Sequence, residues 1–270
     1  MTQITAAGDS LKEGKYKLHS RFTEVVNFVY NDYLLVIAKS IKYLSPNTII
    51  VENLNIKQID EIILENNQIK ILPQNISIKI QNTISSKLNF EHINKEKTNL
   101  ILHELENKYI SLFPAKSLAF LVDSKRKKYF QTAFEKAFYQ QIAKGASQIN
   151  NNQFLEGIKN IKGRGLGLTP SGDDFVAGVL FALHFKEHLQ NIDLAKLRNN
   201  VLEIALGRNI FSNNFLIFAH QAKFFYRFKN FIEKAYSNPT DLEQSLNQLF
   251  EIGSTSGADL LTGFILTIKL

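Results

Sequence analysis

The hydrophobic residues of this chain change their spacing near residue 92, and that change limits the folds open to it. Before that point they alternate with polar residues, as at Ile76 and Ile78, and a period of two is typical of strands with one buried face. Asn-Asp and Asn-Asn pairs at 31–32 and 66–67 separate such segments and indicate hairpin turns. Beyond it the spacing becomes helical. The sequence therefore predicts an α+β fold, in which a small antiparallel β-barrel or sandwich precedes an α-helical domain.

This change of spacing divides the chain into three expected parts. Residues 1–18 are expected to form a polar N-terminal tail, residues 19–91 a β-rich domain, and residues 92–270 an α-helical domain. Strands are predicted at residues 25–30, 33–37, 48–51, 62–64, 68–72 and 76–80.

The helical part is predicted from runs with a period of about 3.6 residues. Helices are expected near residues 97–112, 172–188, 192–206, 212–234, 240–251 and 257–270. Phe130, Phe134, Phe138 and Ile142 are spaced by four and are expected to form one buried stripe on a further helix.

Composition excludes several classes of function. The sequence has no cysteine, so it has no disulfide, no thiolate metal site and no cysteine nucleophile. No apolar run approaches the roughly 18 residues of a membrane helix. The first residues lack the apolar core of a secretory signal, so we expect a cytoplasmic protein without a membrane partner. The net charge is +7, but only 6 of the 32 basic residues are arginine. Because arginine makes most contacts to phosphates and bases, we expect no nucleic-acid partner.

A glycine-rich segment at 163–174 carries the most informative pattern. It reads Gly-Arg-Gly-Leu-Gly-Leu-Thr-Pro-Ser-Gly-Asp-Asp and leads into an apolar run. The pattern Ser-Gly-x-Asp-x-x-x-Gly occurs at 171–178 and again at 256–263. A capping box would explain the serine and the aspartate of each copy, because a serine at a helix start and an acid three residues later bind free backbone N–H groups.

The last glycine of each copy is harder to explain by capping. Gly178 and Gly263 lie inside predicted helices, where glycine costs about 1 kcal/mol relative to alanine. A helix tolerates such a glycine where another backbone approaches closely, so we expect the two helices to cross there. Their N-termini would then meet, with Asp174 and Asp259 facing a shared cleft.

The other glycines of the motif point to a ligand. Gly172 and Gly257 are expected to leave backbone N–H groups uncovered at the two helix starts, which together would form a natural anion site. The alternating glycines at 163–167 would let the backbone pass close to a ligand. The segment is not a Walker A loop, because no lysine follows the last glycine, and its spacing differs from that of a dinucleotide fingerprint.

Together the two motifs resemble the AllH family. The resemblance is near-complete at 163–174 and over Thr-Ser-Gly-x-Asp-Leu-Leu-x-Gly at 255–263, and it is weaker along the rest of the chain. The named member of that family is one subunit of the multi-subunit oxamate carbamoyltransferase of anaerobic allantoin breakdown. The resemblance implies a cytoplasmic carbamoyltransferase subunit of purine catabolism. Such a subunit would bind a small anion such as carbamoyl phosphate or oxamate and assemble with other protein subunits.

The resemblance also implies a ligand site at the two helix starts. Arg164 is the first guanidinium candidate for an anion, and Arg208 is a less specific second one. Asp174 or Asp259 could orient an amide group, accept a proton or help to bind Mg²⁺, and no residue is assigned as a metal ligand. The expected catalytic residues are Asp173, Asp174 and Asp259, and the expected binding residues are Arg164, Gly165, Gly167, Thr169, Ser171, Gly172, Thr255, Ser256 and Gly257.

Two other functions stay open. A stand-alone nucleotide or phosphate enzyme, such as a small-molecule kinase, would use the glycine loop to hold phosphate. A non-catalytic scaffold subunit would need the motif only to hold two helices together. Residues 184–188 match the zinc pattern His-x-x-Glu-His, but without a third ligand downstream we expect a surface or capping role for both histidines.

Overall fold

A computed structural model describes residues 3–270, apart from the side chain of Pro239. Its strands are β1 Gln3–Gly8, β2 Gly14–Arg21, β3 Val25–Tyr30, β4 Tyr33–Ala38, β5 Thr48–Glu52, β6 Glu61–Glu65, β7 Gln68–Leu72, β8 Ile76–Lys79 and β9 Thr83–Ile84. Strands β3 to β8 lie where the sequence predicted strands.

The strands form a single sheet in the order β8-β7-β6-β2-β3-β4-β5-β1-β9, which curls into a half-barrel. Left-handed φ angles at Asn31, Asp32, Asn66 and Asn67 form the predicted hairpin turns. Two pairs, β4 with β5 and β1 with β9, are parallel, whereas the other neighbours are antiparallel. The α+β prediction is confirmed. The parallel pairs were not expected, because parallel neighbours need crossover connections that local alternation does not reveal.

The segment expected to be a polar tail contributes two strands to this sheet. Strand β1 and most of β2 lie within residues 1–18, of which 1–2 are outside the described part of the chain. Ala7 and Tyr16 are fully buried. Exposed lysines flank Tyr16 in β2, so the segment looks polar in sequence although one of its faces is packed.

The chain forms two compact units. The first contains the residues up to Leu88 together with Lys223–Lys229, and the second contains Asn89–Ala222 and Asn230–Leu270. The chain therefore leaves the β-rich unit and later returns to it for one short segment, which the three-part division of the sequence did not predict.

The α-helices are α1 Lys95–Asn107, α2 Ala133–Asn150, α3 Phe154–Ile161, α4 Ser171–Gln190, α5 Ala195–Ala205, α6 Ile210–His220, α7 Tyr226–Ser237, α8 Leu242–Phe250 and α9 Ser256–Lys269. The single helix predicted at 212–234 is wrong, because α6 and α7 are separate. Ala222 between them has a left-handed φ of 54°, and the Phe224 N–H donates to the Ser86 carbonyl at 2.8 Å. An N–H that bonds a distant carbonyl is not available to a continuous helix.

The buried stripe predicted from Phe130 to Ile142 is wrong in its first half. Phe134 is 72% exposed, and Phe130, although buried, precedes the helix. Helix α2 begins after Thr132, which forms a capping box with Glu135. The helix therefore starts later than the spacing suggested, and its first turn faces solvent.

Helices α4 and α9 cross at the two motif glycines. A Cβ on Gly178 would lie 1.9 Å from the carbonyl oxygen of Leu260, and one on Gly263 would lie 2.1 Å from that of Phe175. The contacts are reciprocal, since each helix offers a glycine to a carbonyl of the other. The predicted crossing is confirmed, and the N-terminal turns of both helices lie beside it.

Replacement of either crossing glycine by alanine should destabilise the protein. We expect Gly178→Ala and Gly263→Ala each to lower the free energy of unfolding by about 1–3 kcal/mol, because the added Cβ forces two backbones apart. Gly207→Ala is the control, since a Cβ there would meet nothing within 4 Å. Chemical denaturation compares the three variants, and wild-type stability in both crossing variants would refute the contact.

Loss of the last six residues should also destabilise the second unit. Ile265 is fully buried and Thr267 is 2% exposed, so deletion of residues 265–270 removes packed core. We expect the free energy of unfolding to fall by about 2–5 kcal/mol or more, since that is the usual effect of removing one large buried side chain. Thermal melting measures it. Deletion of Leu270 alone, which is 48% exposed, serves as the control, and equal melting of the two truncations would contradict the expectation.

Candidate functional site

Each copy of the motif begins a helix that follows another helix after a loop, α4 after α3 and α9 after α8. A Cβ on Gly172, at the start of α4, would lie 2.0 Å from the carbonyl oxygen of Ile161 at the end of α3. Gly257, at the start of α9, meets the Leu249 carbonyl of α8 in the same way, at 2.1 Å. The second glycine of each copy therefore lets a helix start pack against the preceding helix.

The expectation that Gly172 and Gly257 offer uncovered N–H groups to a ligand is wrong. The Gly172 N–H donates to the carbonyl of Arg164 at 2.8 Å, and the Gly257 N–H donates to that of Ile252 at 3.5 Å. Two residues after Gly172, the N–H of Asp174 donates to the Pro170 carbonyl at 3.1 Å. Local hydrogen bonds thus occupy the N–H groups of Gly172 and Asp174, so a ligand at this position would be bound largely by side chains.

The two aspartates of the motif are buried between the helix starts. Asp174 is 2% exposed and Asp259 is 0% exposed. The Asp174 carboxyl interacts with the hydroxyl of Ser256 on α9, while the Asp259 carboxyl interacts with that of Ser171 on α4. Each aspartate thus contacts the first residue of the opposite helix, which repeats the reciprocity of the glycine crossing.

Burial dominates the electrostatics of both carboxyls. It raises the pKa of Asp174 well above its usual value, and the negative charge of Asp259 raises that pKa further. The hydroxyls of Ser256 and Thr169 lower the pKa of Asp174 by less. Burial raises the pKa of Asp259 to about 7, against the lowering effect of a 2.6 Å hydrogen bond from the Leu118 N–H.

One oxygen of each carboxyl lacks a partner. Oδ2 of Asp174 and Oδ2 of Asp259 accept no hydrogen bond within residues 3–270. Besides burial, the Leu118 N–H and the hydroxyls of Thr255 and Ser171 shift the pKa of Asp259, and none of these three groups is basic. In the described part of the chain, no three His, Cys, Asp or Glu side chains converge as metal ligands. A cation here would therefore have to be held by two carboxyls and neighbouring hydroxyl oxygens.

The glycine loop folds over the start of α4. Gly163, Gly165 and Gly167 have φ angles of 69°, 112° and 109°, which side chains rarely tolerate. A Cβ on Gly165 would lie 2.7 Å from the backbone nitrogen of Ser171. Glycine is required at this position both for the backbone conformation and for the close approach.

Two side chains hold this loop in place. The Gly163 N–H donates to Oδ1 of Asp173 at 2.6 Å, and the side-chain amide of Asn209 donates to the Leu168 carbonyl at 2.7 Å. Asp173, which the motif suggested as a catalytic residue, is thus engaged as an anchor of the loop. A loop held at both ends can present its side chains in a fixed position.

The groups of the site are layered by exposure. Arg164 and Arg208 are exposed, and Nε of Arg164 lies 3.4 Å from the Asn160 carbonyl. Leu166 is 82% exposed at the tip of the loop. The partly exposed hydroxyl residues are Thr169, Ser171, Thr255 and Ser256. The carboxyls of Asp174 and Asp259 lie beneath that hydroxyl layer, so a ligand arriving from solvent meets arginine and hydroxyl groups first.

The zinc pattern at His184 and His188 is not assembled as a metal site. Nε2 of His184 lies 2.9 Å from the His220 carbonyl, and Nε2 of His188 lies 3.0 Å from the Ile93 carbonyl. A nitrogen that donates to a carbonyl cannot bind a metal at the same time. Burial also lowers the pKa of His184, which favours its neutral form.

Sequence reasoning missed two residues of the site, Leu118 and Asn209. The Leu118 N–H begins a 3-10 turn at Leu118–Leu121 and reaches Asp259, which lies 141 residues further along the chain. No local pattern could reveal that contact. Asn209 caps α6, and its residue type does signal a helix start, although not its bond to the glycine loop.

Comparison with known families identifies both parts of the chain. The model of the AllH family, described as oxamate carbamoyltransferase subunit AllH, matches residues 161–268, which include both motif copies. The model of the AllH family N-terminal domain matches residues 3–87. The chain belongs to the AllH family. Neither a curated protein nor a solved structure shows significant similarity to it. Within residues 3–270, no helix is long and apolar enough to cross a membrane.

Removal of the Asp173 carboxylate should release the glycine loop. Because Asp173 accepts the Gly163 N–H at 2.6 Å, we expect Asp173→Ala to lower the free energy of unfolding by about 1–3 kcal/mol. We also expect it to speed proteolysis within residues 163–168. Asp173→Asn keeps an oxygen at that position and should have a smaller effect. Limited proteolysis with mass spectrometry measures both variants, and equal cleavage of wild type and Asp173→Ala would show that this bond does not hold the loop.

Proposed function

We propose that this AllH-family chain is a subunit of an oxamate carbamoyltransferase-like enzyme. It would bind carbamoyl phosphate, or a small carboxylate or amide, beside the starts of α4 and α9. Family membership supports the carbamoyltransferase assignment. The observation that supports this location is the reciprocal pairing of the two motif copies. It gathers the hydroxyl and carboxyl groups of residues 85 positions apart into one cluster.

Carbamoyl transfer requires donors for the leaving phosphate and for the carbamoyl oxygen, where negative charge develops. Arg164 supplies an exposed guanidinium on an anchored loop, and such a group binds phosphate or carboxylate through two parallel hydrogen bonds. Arg208 is exposed as well and provides a second candidate. The hydroxyls of Thr169 and Ser171 border this loop. Because each directs its single O–H at a buried carboxyl, its oxygen would accept a hydrogen bond from the carbamoyl NH₂ group.

The buried aspartates would act from beneath this surface. Because Asp174 and Asp259 are almost fully buried, they would not meet the ligand directly. Their contacts with Ser256 and Ser171 orient the hydroxyls that would. In this proposal, Asp174 and Asp259 are positioning residues, and the groups that contact substrate are hydroxyl and guanidinium groups.

Other subunits of the enzyme would complete the site. The family is described as one subunit of the transferase, and the loop that carries Arg164 also exposes Leu166 by 82%. A partner that closes over this loop would cover the leucine and exclude water from the ligand. Isolated, the chain would bind ligand without turning it over.

A thermal-shift titration tests the proposal, because a ligand that binds only the native state raises the melting temperature. The ligands are phosphate, carbamoyl phosphate, oxamate and ATP with Mg²⁺. We expect carbamoyl phosphate or oxamate to stabilise wild type, by about 2.7 kcal/mol at 100 times the dissociation constant. Arg164→Gln should raise the ligand concentration needed for the same rise in melting temperature at least tenfold. Arg164→Lys should raise that concentration by less.

Arg21→Gln serves as the matched control, since it removes an arginine of the β-rich unit that pairs with Asp60. It should leave the ligand shift unchanged. A shift with ATP and Mg²⁺ that exceeds the shift with Mg²⁺ alone, and that neither carbamoyl phosphate nor oxamate produces, would replace the proposal with a kinase function. The absence of any shift, both for the chain and for the chain co-purified with its partner subunits, would indicate a scaffold role.

A further inference from the structure

Two buried carboxyl oxygens of the second unit, one on Asp174 and one on Asp259, have no partner among the described residues. Both residues are more than nine-tenths buried, and Oδ2 of each accepts no hydrogen bond from any described residue. Buried polar atoms nearly always have a partner, which is protein, water or an ion. Two such atoms on neighbouring carboxyls point to a shared ligand that supplies positive charge.

No group that interacts with the Asp259 carboxyl carries a positive charge. Asp259 receives one N–H, from Leu118, on its other oxygen, Oδ1, at 2.6 Å. The remaining groups that influence its carboxyl are the hydroxyls of Thr255 and Ser171. Hydroxyl groups carry no net charge. A buried carboxyl without a charged partner is protonated, as the raised pKa values of both groups favour, whereas a bound cation would keep both ionised.

We propose that Asp174 and Asp259 together bind one divalent hard cation, Mg²⁺, between the starts of α4 and α9. The two carboxylates balance the charge of such an ion. Their unpartnered Oδ2 atoms are its first two ligands, one from each copy of the motif. The cation would therefore tie the copies together at the point where the two helices meet.

The donor set favours a hard cation over a soft one. Every side chain that interacts with the two carboxyls from the opposite helix start contributes a hydroxyl oxygen, namely Ser256 for Asp174 and Ser171 for Asp259. Carboxylate and hydroxyl oxygens suit Mg²⁺, whereas zinc and copper prefer nitrogen and sulfur. Mg²⁺ also keeps several of its waters, so two carboxylates are a sufficient protein contribution.

The cation site stands independently of carbamoyl transfer. Its test uses the full chain, stripped with EDTA and titrated with metal alone, so that failure of either proposal leaves the other intact. Mn²⁺ replaces Mg²⁺ as a paramagnetic probe. We expect electron paramagnetic resonance to count one bound Mn²⁺ per chain and Mg²⁺ to displace it. Addition of Mg²⁺ should raise the melting temperature.

Isosteric neutral variants identify the ligands. Asp174→Asn and Asp259→Asn should each weaken Mn²⁺ binding at least 100-fold and abolish the shift in melting temperature. Asp241→Asn is the control, since it removes an aspartate at the start of α8 that is paired with Lys234 at 3.0 Å. It should bind Mn²⁺ as wild type does.

Two outcomes would overturn the proposal. One is the absence of a bound Mn²⁺ in wild type, and the other is undiminished binding in a folded Asp174→Asn or Asp259→Asn variant. If both variants fail to fold, Ser171→Ala and Ser256→Ala decide the matter, because they keep the carboxyls. Mn²⁺ affinity that falls in both supports the site, and affinity that falls in neither refutes it.

Discussion

The close approach of two backbones at Gly178 and Gly263 is the contact on which the helical unit depends. Each glycine lies where a Cβ would fall within about 2 Å of a carbonyl oxygen of the other helix. Because the contact is reciprocal, it sets both the distance between α4 and α9 and their relative position along their axes. That position brings two short loops and two helix starts to the same place and creates the candidate site.

The crossing also explains how two carboxyls come to be buried side by side. Asp174 and Asp259 lie one turn before the crossing glycines, so close packing of the helices removes both from water. Burial raises the pKa of both groups, and the proximity of Asp259 raises that of Asp174 further. Carboxyls that serve only as caps can stay in solvent, where they lose no hydration free energy. Their burial, together with the unpartnered oxygens, is the physical basis for proposing a cation at this place.

Much of the fold could be predicted from local pattern. Short apolar segments between turn residues predicted β3 to β7, and alternation predicted β8. The Asn-Asp and Asn-Asn pairs predicted two hairpins, and the glycines inside apolar helices predicted the crossing. The same reasoning failed where the type of a residue did not match its burial. Lysines next to Tyr16 concealed a strand, and the four-residue spacing of Phe134 concealed an exposed first turn. At the site, residue types predicted that Asp174 and Asp259 come together, but expected them at an open cleft, whereas both are buried. They also assigned Gly172 an open N–H that in fact bonds to Arg164.

Local sequence is sufficient for the order of elements, the hairpins and the identity of the repeated motif, because each depends on residues within one or two turns. Long-range packing sets the rest. The return of Lys223–Lys229 to the β-rich unit, the N–H that Leu118 donates across 141 residues to Asp259 and the anchoring of the glycine loop by Asn209 each join distant parts of the chain. A hydrogen bond between distant segments leaves no periodic trace in either of them, so these contacts become visible only when the helices and strands are assembled.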